Sequence, residues 1–241
     1  MLRSIVLELE GERDYVRKNF LGYQVYSFFI NQLKKIDEEK ATHYHQKNKQ
    51  KPFTITSPFL KEERIFIRFS FLNDEVFSIF LSSLFNQKKI NIEKEFSIKK
   101  VYLTPEKNLP KNIQKMIKYY PNDEKLRSDR LKIITLSPIV FKSGENFEII
   151  PTVSLIKNSF LQKQQEIYGK EIFKLPEFVI SKINLKSKEV DVNPFGKFIG
   201  AVGDFEIKLK EKNPDIFALE FFGLGMKTTM GLGQIMIKEM I

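Results

Sequence analysis

One order of chain segments is written twice in this sequence, and that repetition constrains the fold more than any other feature. Residues 4–9, SIVLEL, read as a strand. Residues 19–36, NFLGYQVYSFFINQLKKI, run too long for a strand, and Phe20, Val25, Phe28, Phe29 and Leu33 supply a broad apolar helical face. FTITSPFL and ERIFIRFSFL follow as period-two segments around a charged turn. Asn73 and Asp74 then offer N-caps to a helix in NDEVFSIFLSSLFNQ, and FSIKKVYLTP returns to strand before Pro105. Strand, helix, strand, strand, helix, strand is the ferredoxin-like order.

The second half repeats the plan. RLKIITLSPIVFK reads as a strand interrupted at Pro138, and SLIKNSFLQKQQEIYGK as a helix. FVISKINLKSKEVDV and FIGAVGDFEIKLK are strands, NPDIFALEFFG is a short helix with Asn213 capping and Pro214 in its first turn, and GQIMIKEM is the last strand. The expected architecture is α+β: two tandem ferredoxin-like (βαββαβ) domains, residues 1–107 and 130–241. A polar connector with two prolines, residues 108–129, lies between them. One larger α+β domain is the competing arrangement.

Composition narrows the chemistry. At 42% hydrophobic residues with 23 Phe, the chain can fill a packed core, and with no cysteine it has no disulfide, thiolate zinc site or cysteine nucleophile. No apolar run approaches the roughly 18 residues of a membrane span. Glu8 and Glu10 interrupt the apolar start, so a signal peptide is not expected there and the cytoplasm is the expected location. Lys and Arg outnumber Asp and Glu by 40 to 30. That excess favours polyanionic partners, nucleic acid first and acidic membrane surface second, although a general richness in lysine also accounts for it.

Both histidines stand in HYHQKNKQKPFT, residues 43–54. His43 and His45 lie beside Lys47, Lys49 and Lys51, so groups able to move protons near neutral pH sit among fixed positive charges. Taken alone, the segment reads more readily as a solvated basic loop. In extended backbone the two imidazoles would share a side, as an acid–base pair around one phosphate; in a helix they would diverge by about 200° and one would be idle. No Asp, Glu and His cluster has metal-ligand spacing, so no metal or cofactor is expected.

Before the last strand stands GLGMKTTMGLG, with Gly223, Gly225, Gly231 and Gly233 around Lys227, Thr228 and Thr229. Such a segment can present backbone N–H groups to phosphate oxygens. It is neither a Walker A motif nor a GxGxxG turn opening a helix, which disfavours nucleotide triphosphate chemistry. A helix C-cap with a strand-entry bulge would explain one or two of these glycines.

Together these features resemble the CRISPR repeat-processing endoribonucleases of the RAMP superfamily. The resemblance rests on the tandem domains, on GLGMKTTMGLGQI running into the final strand, on TLSPIVFK at residues 135–142, and on a histidine followed six residues later by KPFT. It implies metal-independent cleavage of repeat RNA, in which a 2′-hydroxyl attacks its own phosphorus to leave a 2′,3′-cyclic phosphate or 3′-phosphate and a 5′-hydroxyl. By position His45 matches the family histidine and Lys51 the family lysine, with His43 as a second acid–base candidate.

The tyrosine that some members carry fifteen residues before the histidine is Ile30 here; Tyr26, one turn earlier, is the candidate substitute, ahead of Tyr23. Lys47, Lys49, Gly225, Lys227, Thr228 and Gly231 are the expected RNA contacts, and KNIQKMIKYY in the connector has the basic and aromatic mix that suits RNA. The implied partners are CRISPR repeat RNA and other effector-complex subunits, with a homodimer left open and no membrane. A non-cleaving repeat- or guide-binding subunit is the alternative, and a basic protein-interaction subunit a third reading.

Overall fold

The computed structural model describes residues 2–46, 50–103 and 126–240. The chain forms two units, Met1–Tyr119 with Thr229–Gly231, and Tyr120–Thr228 with Leu232–Ile241. Residues 104–125, including KNIQKMIKYY, lie outside the described residues.

The first unit is built on strands β1 (Arg3–Glu10), β2 (Phe53–Ile55), β3 (Phe59–Lys61), β4 (Arg64–Phe71), β5 (Lys89–Ile92) and β6 (Lys94–Leu103). They form one antiparallel sheet in the order β2-β4-β1-β6-β5, with β3 also pairing β4. Helices α1 (Arg13–Lys18), α2 (Gly22–Lys34), α3 (Glu38–His45) and α4 (Asp74–Leu84) complete the unit. Its core is largely phenylalanine. Phe29 of α2 lies with its ring 4.3 Å from that of Phe53 and 4.6 Å from that of Phe80, which in turn is 4.6 Å from Phe69. The expected cap holds α4: the Asn73 side chain accepts a hydrogen bond from the Val76 N–H at 2.9 Å.

The second unit repeats the order with β7 (Arg130–Thr135), the hairpin β8 (Phe141–Ser143) and β9 (Asn146–Glu148), α5 (Val153–Tyr168), β10 (Phe178–Asp191) and β11 (Lys197–Leu209). A 3-10 turn (Pro214–Ala218), the short α6 (Leu219–Phe222) and β12 (Ile235–Glu239) close it. Its sheet runs β10-β11-β7-β12, all antiparallel. In each unit the strands that come first and third in the ferredoxin plan are central and the second and fourth flank them. The expected tandem ferredoxin-like fold is borne out. Beyond Thr135 the chain leaves the ladder near Pro138, and Ile139 makes only an isolated bridge to Ala201.

Two helices, α1 and α3, lie where the sequence pattern gave no element. The periodicity missed α3 because Ala41 is its one buried residue. Its local signals are polar: the Asp37 side chain accepts from the Lys40 N–H at 2.9 Å, and Glu38 and Glu39 occupy the first turn.

Candidate functional site

Helical backbone at Glu38–His45 sets the two histidines apart. With about 100° per residue, His43 and His45 leave α3 about 200° apart, so the extended geometry that a pair requires is not the one adopted. His43 is exposed and meets the edge of Tyr44, ring centres 5.5 Å apart. His45, in the last position of α3, turns toward α2. Its ring stacks on Tyr26 with centres 6.2 Å apart and planes 18° apart, and its Nδ1 lies 3.4 Å from the Tyr26 hydroxyl.

Tyr26 is well fixed. It is 2% exposed, stacked on Phe53, and its hydroxyl donates to the Tyr44 carbonyl at 3.2 Å. Burial, with a smaller contribution from Tyr23, pushes its pKa up to about 12, so near neutral pH the phenol keeps its proton. That single hydrogen lies on the Tyr44 carbonyl. The phenol oxygen then accepts from Nδ1–H of His45, which leaves Nε2 as the ring's open lone pair. Lys51 stands over the same tyrosine, its Nζ 5.9 Å from the ring centre, and donates to the Gln46 carbonyl at 3.3 Å. Tyr26, His45 and Lys51 are therefore gathered on one buried ring. Ile30, the position of the missing tyrosine, is instead core. Lys47 and Lys49 lie outside the described residues.

The carboxylates around α3 are held by lysines. Lys40 pairs with Asp37 at 3.1 Å and with Glu75 at 2.6 Å, and Lys34 with Glu38 at 2.9 Å. Among the described residues no group of three or more His, Asp and Glu side chains gathers as a metal site.

The glycine segment is packed into the protein itself. Gly225 and Gly231 are buried, as is Thr228 at 4% exposure. At Gly225, with φ +72°, a Cβ would meet the Val140 carbonyl oxygen at 2.0 Å; at Gly231, with φ +88°, it would meet the Gly22 Cα at 2.9 Å. The protein's own close packing requires glycine at these positions, whatever else the loop contacts. The N–H groups of Leu224, Met226, Leu232 and Gly233 likewise donate to carbonyls of the chain. Lys227 is the exception. Its ammonium sits 4.1 Å from the centre of the Phe195 ring and 5.3 Å from that of Phe198, and half-burial lowers its pKa.

One residue the sequence reading passed over supports this loop. Lys163 lies on the buried stripe of α5 with Ile156, Phe160 and Gln164. Its Nζ donates to the carbonyls of Phe222 and Gly223 at 3.1 and 3.0 Å, where α6 gives way to the glycine segment. Burial lowers its pKa to about 7. A lone lysine at core spacing on a helix was the available signal.

Comparison with known proteins agrees with this architecture. Residues 133–235 match the family described as CRISPR-associated endoribonuclease Cas6. No curated protein matches the sequence. Among solved structures, Thermus thermophilus Cas6 is 21% identical over 99% of this chain and 98% of its own, with a TM-score of 0.64. A Cas6 product complex reaches a TM-score of 0.72 at 21% identity, over 99% of this chain and 100% of that one. A Cas6-related protein from Pyrococcus furiosus gives 0.67 at 17% identity, over 100% of this chain and 99% of that one. At these identities the structures establish the fold, and they do so along the whole chain.

Proposed function

We propose that this chain is a member of the family described as CRISPR-associated endoribonuclease Cas6, whose model matches residues 133–235, and that it cuts precursor CRISPR RNA within its repeats by metal-independent transesterification. The observation that carries the proposal is the set Tyr26, His45 and Lys51, with Nδ1 of His45 3.4 Å from the Tyr26 hydroxyl and Lys51 over the same ring. His45 takes the proton of the attacking 2′-hydroxyl at Nε2. The new 2′-O–P bond forms as the P–O5′ bond breaks, the departing 5′-oxygen takes a proton from water and His45 returns its proton to solvent, leaving a 2′,3′-cyclic phosphate and a 5′-hydroxyl. Tyr26 is a positioning residue, fixing the tautomer and angle of the imidazole. Lys51 supplies fixed positive charge to the phosphorane, where negative charge accumulates. His43, on the far side of α3, stands outside the chemistry. Lys227, with Lys47 and Lys49 still assigned from sequence, contacts the RNA backbone; Gly225, Gly231 and Thr228 shape the loop. The protein acts in the cytoplasm on repeat RNA.

The test is single-turnover cleavage of a panel of repeat RNAs in excess EDTA, with both product ends mapped. Cleavage at full rate that leaves a 5′-hydroxyl is expected. Strict dependence on Mg²⁺ with a 5′-phosphate product would overturn the mechanism. Tight binding of repeats with no cutting by the wild-type protein would turn the reading to a non-cleaving subunit.

A further inference from the structure

The helix that carries His45 has little apolar support of its own. Of the eight residues of α3, Ala41 is the buried one. A helix so short does not hold itself, and its last turn frays unless something outside it takes hold. At the N-terminal end the ties are ionic, Lys40 to Asp37 and to Glu75, and all three side chains are partly exposed. Ion pairs that face solvent contribute little once salt screens them. At the C-terminal end the tie is aromatic. Tyr44 follows Ala41 by three residues, so it lies on the same face of the helix, and it packs against the phenylalanine core. Its ring meets the fully buried Phe53 edge-on, centres 6.1 Å apart and planes at 86°. Burial raises the pKa of its phenol, against a smaller opposing effect of the Asn73 side chain, so near neutral pH the ring is uncharged.

Two contacts of Tyr44 fix the two freedoms of that last turn. The carbonyls of a helix's final four residues have no partner inside the helix. The Tyr44 carbonyl is one of them, and it accepts from the Tyr26 hydroxyl at 3.2 Å, so a side chain of α2 caps the end of α3. A slip of one residue would offer Tyr26 a different carbonyl and turn the imidazole by about 100°. The ring of Tyr44 sets the rotation. Tyr26 also packs on Phe53, with centres 6.4 Å apart and planes 21° apart, so the two tyrosines stand on one ring, one nearly parallel to it and one edge-on. His45, next in the chain after Tyr44, is thereby laid along Tyr26 with planes 18° apart.

Resting on the assignment of His45 as the base, we propose that Tyr44 is a positioning residue for cleavage: its ring, held on Phe53, and its carbonyl, held by Tyr26, fix the direction in which His45 presents Nε2. Tyr44 acts through the imidazole and not on the RNA. Proton transfer from a 2′-hydroxyl depends steeply on that direction, whereas binding of the RNA backbone does not, so the role belongs to the rate and not to the affinity.

The experiment compares Tyr44→Phe, Tyr44→Leu and Tyr44→Ala in three measurements. These are single-turnover cleavage at saturating enzyme, affinity for repeat RNA with a 2′-deoxynucleotide at the cut, and nitrogen NMR of the imidazoles in the RNA-free protein. The chain has two histidines, so His43→Ala assigns the His45 signals. Tyr44→Phe keeps ring and carbonyl and should retain most of the rate, within about threefold of wild type. Leucine keeps apolar bulk, and with it the fold, but has no aromatic edge. The Leu and Ala variants should lose roughly 10- to 100-fold in rate, with affinity changed by less than about threefold. In mildly alkaline buffer, where imidazole is neutral, wild type and Tyr44→Phe should show the His45 hydrogen on Nδ1, and the other two variants a mixture of tautomers. Tyr44→Ala added to Tyr26→Phe should cost much less than Tyr44→Ala alone, since both changes release the same imidazole. The role is overturned if Tyr44→Leu and Tyr44→Ala keep the wild-type rate and tautomer, if Tyr44→Phe loses as much as Tyr44→Ala, or if the losses in the double variant simply multiply. Wild-type protein that left every repeat RNA uncut would remove the assignment of His45 as the base, while the spectra still tested what Tyr44 holds, so the two failures are distinguishable.

Discussion

The Tyr26–His45–Lys51 cluster and the Lys227–Phe195–Phe198 cluster use similar parts in opposite ways. Both set a basic side chain against aromatic rings. In the first, Tyr26 is 2% exposed and anchored at both its ring and its hydroxyl, so the imidazole above it is aimed by a rigid support. In the second, Phe195 is 40% exposed and the cation lies half-buried against it. A buried ring beside a basic group fixes direction, which suits proton transfer, whose efficiency depends on angle and distance. A partly exposed ring leaves the cation it holds within reach of solvent, which suits a phosphate contact. Whether the ring is covered decides which of the two a cluster can do.

The largest effect that sharpens the comparison is on rate. His45→Ala should lose about 10²-fold or more in single-turnover cleavage while repeat RNA still binds, and His43→Ala should stay within about twofold of wild type. Equal losses from the two variants would mean that the far side of α3 also takes part, and the aimed-imidazole account would fail.

A smaller effect concerns the support beneath the second cluster. The amine of Lys163 has a pKa of about 7 in the fold, against about 10.4 in an unfolded chain, because it is buried. Between those values the unfolded chain holds more protons than the folded one, so this residue makes folding more favourable as pH rises from about 7 toward 10. Lys163→Met removes that dependence and leaves the Phe222 and Gly223 carbonyls without their donor. Thermal unfolding should show the variant less stable than wild type by about 1–2 kcal/mol at pH 9.5, and the order should reverse near pH 6, because the shift in pKa changes the wild-type stability by about 3 kcal/mol over that range. A gap that did not change between pH 6 and 9.5 would mean that the amine is not titrating inside the fold.

The smallest effect separates aiming from stacking in the first cluster. Tyr26→Phe keeps the ring under His45 and deletes the hydroxyl. Cleavage should slow by roughly 5- to 10-fold, about the worth of one hydrogen bond, with RNA affinity unchanged and the acid limb of the pH–rate profile displaced. An unchanged profile and rate would reduce Tyr26 to packing.

The fold was legible because its signals are local and redundant. Asn73 and Asn213 cap where their positions suggested, and Pro138 ends regular pairing where a missing N–H must. α3 was not legible, since its apolar contribution is Ala41 and its start is marked only by Asp37 and two glutamates. That omission carried into the site: with backbone state undecided, a pair of His43 with His45 and His45 acting alone both stayed open. The glycines were ambiguous in a different way. Their spacing announced tight backbone, but a phosphate and the Val140 carbonyl oxygen are equally good reasons for a missing Cβ.

The two repeats of the strand, helix, strand, strand, helix, strand order, the glycine segment before the last strand, and a histidine six residues from a lysine were determined by the sequence alone, because periodicity, capping and spacing act over a few neighbouring residues. Which tyrosine supports the histidine, which histidine is left outside, and which rings surround Lys227 were decided by the tertiary structure. Tyr26 and His45 are nineteen residues apart and meet only because α3 folds back beside α2. Phe195 and Lys227 are separated by a strand, a 3-10 turn and a helix, and only the packing of the second unit brings ring and ammonium to 4.1 Å. Contacts of that kind are set by how apolar faces are buried against one another, and no local pattern encodes them.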